Sequence, residues 1–120
     1  MMMTNNPTFK DYRFNSLPFR IVPLEGSPWF VVKDVALCLG YSLGTIQKKI
    51  TSLTSHIDQD QKQIITVRGD FGEYPITLIT ESGVNDLIAK AKPPKPIARE
   101  FRERLKEALP RMRGFAARNS

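Results

Sequence analysis

An α+β fold is predicted for this chain: a small single domain of short β-hairpins packed with about four helices, two of which form a helix-turn-helix-like pair. Three observations predict it. Two pairs of β-prone runs flank turn residues, and apolar residues elsewhere recur at three- and four-residue spacing. Hydrophobic residues make up 41% of the 120 positions, enough for one core but not for two independent ones.

Residues 1–15 are polar, begin with three methionines and show no periodicity, so they read as a flexible lead-in. The domain is expected over residues 16–113. Residues 19–24 and 28–32 are short β-prone runs around Glu25-Gly26-Ser27, which predicts a hairpin. The period then changes over residues 33–39. Val35, Ala36 and Leu39 share one helical face, and Gly40 stands where a helix commonly ends in a left-handed residue. Ser42 can cap a second helix over residues 43–50 or a little beyond, with Ile46 and Ile50 one turn apart.

Residues 52–62 are polar and read as a surface loop. A second hairpin follows, with residues 63–68 and 74–80 flanking Gly69-Asp70-Phe71-Gly72-Glu73. Thr80 is placed to cap a third helix that ends near Ala91. Glu81 suits the positive end of its dipole, and Val84, Leu87 and Ile88 face inward. Pro93, Pro94 and Pro96 predict an extended break, with Pro96 compatible with the first turn of the next helix. The last helix carries Ile97, Phe101, Leu105 and Met112 near one stripe, and Pro110 is expected to kink or end it. Residues 114–120 read as a loose tail. No internal repeat is present.

The formal net charge is +6, and its distribution is uneven. From Lys90 onward there are ten Lys and Arg against three Glu, so the positive character belongs to the C-terminal part. A polyanion is the usual partner of such a surface, because each neutralised phosphate releases counterions. The competing reading is a helix with a solvated charged face. No apolar stretch approaches the roughly 18 residues that span a bilayer, and the first residues lack the apolar block of a secretory signal. Cys38 has no second sulfur to pair with, which points to a reducing cytoplasm.

Catalysis finds little support. His56 is the only histidine and has no evident nucleophile or carboxylate partner, while Glu81 is explained by its helix start. Gly69 and Gly72 sit in a turn, so no phosphate-binding glycine loop follows a strand, and neither cofactor nor metal is expected.

The segment Val35-Ala36-Leu37-Cys38-Leu39-Gly40-Tyr41-Ser42-Leu43-Gly44-Thr45-Ile46 has helix-turn-helix spacing. Ala36 leaves room for a close crossing, Gly40 permits positive φ in the turn, and Ile46 locks the second helix onto the first. Ser42, Thr45, Gln47, Lys48 and Lys49 are then candidates to face a DNA groove, Gln meeting an adenine edge and Lys a guanine or a phosphate. One position departs from the pattern. The apolar residue expected three after Ile46 is Lys49, with Ile50 arriving one position late. The alternative is a generic helical hairpin packed on a sheet. Arg68 in the downstream hairpin, and Arg99, Arg102, Lys106, Arg111 and Arg113 in the basic last helix, are the candidate phosphate contacts.

Four stretches carry a family resemblance: Phe19-Arg20-Ile21-Val22; Trp29-Phe30-Val31-Val32-Lys33-Asp34-Val35-Ala36 running into Leu39-Gly40-Tyr41-Ser42; Leu78-Ile79-Thr80-Glu81-Ser82-Gly83-Val84 leading to Leu87-Ile88; and Ala98 through Phe101 to Leu109-Pro110-Arg111-Met112-Arg113. In this order they resemble the N-terminal domain of the BRO family (Bro-N), found in baculovirus repeated-ORF proteins and in phage and prophage antirepressors. The resemblance implies an α+β domain and nucleic-acid binding or antirepression. Family members usually carry a tryptophan three residues after the last helix's Phe, where this chain has Arg104, and a slightly longer gap to the Leu-Pro pair.

Two functional readings stay open. In one, the chain is a regulator that binds double-stranded DNA, in a bacterial host cytoplasm if phage encoded, with a homodimer spanning two half-sites as one arrangement. In the other, it is an antirepressor or inhibitor that binds a phage repressor or host regulatory protein through the Phe101-containing helix or a sheet edge. No membrane partner is expected.

Overall fold

Two tight reversals at the start of the chain set the sheet. The computed structural model describes residues 8–90 and 95–119. Strands β1 (Lys10–Phe14), β2 (Leu17–Leu24) and β3 (Ser27–Val31) form a meander. Its turns place Asn15 and Ser16, then Glu25 and Gly26, at positive φ, the two-residue turn whose twist matches paired strands. Strands β4 (Lys62–Gly69) and β5 (Gly72–Ile79) form the second hairpin, and β5 pairs with β3. The sheet is antiparallel in the order β1-β2-β3-β5-β4.

Helices α1 (Val32–Cys38), α2 (Leu43–Thr54), α3 (Glu81–Lys90) and α4 (Lys95–Asn119) complete the α+β fold. Their apolar stripes join one face of the sheet. Phe19, Ile21, Phe30 and Ile79 from the strands meet Val35 and Leu39 of α1, Val84 and Leu87 of α3, and Phe101, Leu105 and Met112 of α4. Phe101 is the hub of an aromatic cluster, with Phe14 edge-on at 5.3 Å and Phe19 at 5.4 Å between ring centroids. A second cluster, Val22, Trp29, Val31, Val67, Ile76 and Leu78, is built from strand residues alone. The helices of the described residues therefore serve one core, and the sheet closes over the other itself.

The structure departs from the sequence expectations in four places. Residues 10–14, read as part of a flexible lead-in, are strand β1, because Phe14 buries its ring on Phe101 and Tyr12 packs on Phe19; residues 1–7 lie outside the described residues. The polar run 52–62 is only partly a loop. Helix α2 continues to Thr54, Ile57 is buried in the core, and Gln59–Gln61 form a 3-10 turn whose Gln61 carbonyl accepts from the Thr80 N–H at 3.0 Å.

Pro110 neither ends α4 nor leaves a loose tail. A proline inside a helix costs about 3 kcal/mol through a lost hydrogen bond and a ring clash. Buried residues on both sides offset that cost. Leu105 and Ala108 precede Pro110, Met112 and Ala116 follow it, and Arg113 beyond it forms a forked ion pair with Glu81 at the start of α3. The expected break at Pro93 and Pro94 lies outside the described residues, while Pro96 does occupy the first turn of α4.

Because Phe14 is part of the core, Phe14→Ala should lower the unfolding free energy by about 3 kcal/mol, the cost of emptying a buried aromatic site. Urea denaturation followed by Trp29 fluorescence measures it. A change within experimental error would return residues 10–14 to the status of a lead-in.

Candidate nucleic-acid interface

The helical pair is fixed at both ends of its connection by the residue types the spacing demanded. At the end of α1, Gly40 adopts φ +102°, its N–H donates to Leu37 O at 3.0 Å, and the Tyr41 N–H donates to Ala36 O at 3.1 Å. These are the two bonds of a Schellman ending, and they satisfy carbonyls that a helix otherwise leaves open. Two residues later the Ser42 hydroxyl accepts from the Thr45 N–H at 3.2 Å and donates to Thr45 Oγ1 at 2.9 Å, capping α2. Ala36 and Ile46 are both buried, as a close crossing requires.

A partly buried ion pair fixes α1 to the sheet. Asp34, 7% exposed in the first turn of α1, accepts from the backbone N–H of Arg20 at 3.0 Å. It also accepts from Arg20 Nε at 2.7 Å and Nη2 at 3.2 Å, the two-toothed geometry that arginine alone offers a carboxylate. That hydrogen bonding raises the Arg20 guanidinium pKa against the opposing pull of burial, so the cation is permanent. Its guanidinium lies 5.0 Å from the centroid of the Phe9 ring. Nearby, burial pushes the Cys38 thiol up to about 12, with Asp34 adding to the shift, which keeps the sulfur protonated and inert at neutral pH.

The misplaced apolar residue has a backbone counterpart. Lys49 leaves helical geometry at φ −122° and ψ 17°, so α2 kinks there and restarts its register. Ile50 and Leu53, at i+4 and i+7 from Ile46, pack against the main core on either side of that break. The kink also separates the candidate contact residues of α2. Gln47 and Lys48 are exposed on the crest opposite Ile46, beside Leu43 and Gly44. Ser42 and Thr45 are engaged in the cap. Lys49, with Thr45, instead lines a cleft of about 300 Å³ between α2 and α3.

The basic last helix divides its charges. Arg99, Arg102 and Lys106 recur at i, i+3 and i+7, with Arg113 a further seven residues on, so they share a flank of α4. Arg111 lies on the other flank, grouped with Lys10, Tyr12 and Arg118. Within the shared flank, Lys106 approaches Glu103 at 3.9 Å and Arg113 is held by Glu81. Arg68 faces Glu73 across the β4–β5 hairpin at 3.7 Å, with both side chains largely exposed. Lys48, Arg99, Arg102 and Arg111 make no ion pair among the described residues. Four residues separate Lys90 from Lys95, so the start of α4 lies within about 19 Å of the end of α3, at 3.8 Å per step.

Sequence reasoning did not single out Tyr41, Ser52 or Lys90, which line the same cleft as Lys49. One signal was available: Thr45, Lys49 and Ser52 stand at i, i+4 and i+7 on one side of α2. Lys90 carried none, because its approach depends on how α3 packs. Among the described residues no group of three His, Cys, Asp or Glu is arranged to hold a metal ion, and no helix is long and apolar enough to cross a membrane.

The family model for the BRO family, N-terminal domain, matches residues 18–110. The chain belongs to the BRO family. No curated protein and no solved structure matches it. The Bro-N match starts after β1 and stops at Pro110, so the ordered unit exceeds it at both ends. Those two extensions meet: Lys10 lies 5.9 Å from the centroid of the Phe115 ring, and Tyr12 shares a groove with Arg111 and Gly114. Inside the match, Arg20 and Asp34 belong to separate stretches of the family pattern and are joined by the ion pair.

Removing that pair should cost the fold more than a surface salt bridge would. Asp34→Ala leaves the Arg20 guanidinium and backbone N–H without their acceptor, and is expected to destabilise the protein by about 2 to 3 kcal/mol, less than for a fully buried pair because Arg20 is partly exposed. Chemical denaturation checks it. A loss below about 1 kcal/mol, typical of exposed pairs, would mean that the pair does not anchor α1.

Proposed function

We propose that this BRO-family chain is a non-catalytic, DNA-binding regulatory protein of the phage or prophage antirepressor type, which presents the α2 crest to the duplex and grips phosphates with the start of α4. The observation that carries the reading is the exposed Gln47-Lys48 pair on a capped helix that buries Ile46. Glutamine and lysine at the start of a rigid helix are suited to base edges and phosphates. Arg99 and Arg102, with no ion pair among the described residues, supply further phosphate contacts. Lys106 and Arg113 contribute less, since part of their charge is spent on Glu103 and Glu81.

A second reading has its own observation in favour. Strand β4 is an edge of the sheet, Ile64 on it is 68% exposed, and Phe71 at the hairpin tip is fully exposed. Unpaired strand edges with apolar side chains suit protein partners, so docking of a repressor or host regulator would use this edge. Phe101 cannot contribute to such docking directly, because its side chain is fully buried.

Fluorescence anisotropy with a random-sequence duplex between 50 and 200 mM salt separates the two. With Lys48, Arg99 and Arg102 on phosphates, log affinity is expected to fall against log salt with a slope of about 2.7. Lys48→Ala should reduce that slope by about 0.9. No duplex binding at the lowest salt, together with capture of a regulator at high salt, would replace the first reading by the second.

A further inference from the structure

The side of α2 turned away from the crest carries a different set of groups. Alongside the kink, the cleft between α2 and α3 has a volume of about 300 Å³, the lower end of the range for small-molecule sites. Its floor is apolar, formed by Leu53 and Leu87, and its rim holds Lys49 from α2 and Lys90 from the last turn of α3. No carboxylate side chain lines it. Neither lysine makes an ion pair among the described residues.

The remaining polar groups have the same sense. His56 Nε2 lies 3.1 Å from the Asp86 backbone oxygen, which can only accept, so that nitrogen carries a proton and the ring adds no negative charge. The Thr45 hydroxyl accepts from Ser42 and keeps its own proton to donate, and Ser52 adds a second hydroxyl one face-repeat further along α2. Two ammonium groups and the hydroxyls of Tyr41, Thr45 and Ser52 around an apolar floor match a ligand with a phosphate at one end and a flat, weakly polar body at the other. They match a bare anion poorly, because a hydrated ion gains nothing from Leu53 and Leu87. Equally, an uncharged aromatic would leave two lysines without a counter-charge.

We propose that the cleft between α2 and α3 is a nucleotide site, in which Lys49 and Lys90 bind the phosphate and the Leu53 and Leu87 floor receives the base. Lys49, the lysine that stands where the helix-turn-helix spacing calls for an apolar residue, is the α2 cation of this site. It does not depend on the duplex reading, since Lys48 on the crest and Lys49 in the cleft face different sides. The nucleotide is either free or the phosphorylated end of a strand, and both present the same chemistry.

The test is a titration of the 15N-labelled full chain with a nucleoside 5′-monophosphate, the matching nucleoside and inorganic phosphate. The monophosphate should shift the amides of Thr45, Leu53, Leu87 and Lys90 and bind at least tenfold more tightly than either fragment. Lys49→Ala and Lys90→Ala should each weaken it about tenfold, the loss of one charge-assisted contact, while Lys48→Ala leaves this titration unchanged and lowers duplex affinity. Tighter binding of a 5′-phosphorylated single strand than of the monophosphate would identify the ligand as a strand end; equal affinity would identify a free nucleotide. Shifts elsewhere in the protein, an affinity no better than that for inorganic phosphate, or unchanged binding in both lysine variants would overturn the proposal.

Discussion

Beyond the pairing of Ile21 with Phe30, the chain leaves β3 at Val31 and turns into α1, and the backbone N–H of Arg20 on β2 meets the Asp34 carboxylate instead of a strand carbonyl. The same carboxylate takes both teeth of the Arg20 guanidinium, so one side chain continues the sheet's hydrogen bonding and fixes the helix that follows. Everything distal inherits its position from that junction. Val35 and Leu39 reach the core because α1 starts where it does; Gly40 then turns the chain, and Ser42 starts α2, whose Ile46 is buried. The exposed crest of α2 is thus the far end of a rigid chain that begins in the sheet.

The parts of this arrangement legible in the sequence are those that local chemistry decides. A glycine after an apolar heptad-like face, a serine before the next helix and a threonine before Glu81 each satisfy backbone groups within a few residues, and all three do so here. Both hairpins expected from the β-prone runs form, with the second turn reduced to Asp70 and Phe71 between Gly69 and Gly72. The inward face of α3 was readable from Val84, Leu87 and Ile88 for the same reason.

What stayed hidden depends on contacts between distant segments. Strand β1 has little pattern of its own, and only Phe101, 87 positions after Phe14, makes its ring a core residue. Pro110 reads as a kink or an end of the helix because its local cost is large, and the anchors that carry the helix past it, Glu81 and the buried Met112 and Ala116, cannot be weighed without the packing. Arg113 illustrates the same point for the interface: charge alone nominates it for a polyanion, whereas Glu81 already holds it. Lys49 was visible as an anomaly but not as a kink, and the cleft it borders exists only once α3 has docked.

On the proposed reading the crest of α2 is the surface that meets DNA, and mapping amide shifts on addition of a short duplex checks this. Perturbations are expected at Leu43, Gly44, Gln47 and Lys48, with a second group at Arg99 and Arg102 and little change along β4. Perturbations concentrated at Ile64 and Phe71, with the α2 crest silent, would contradict it.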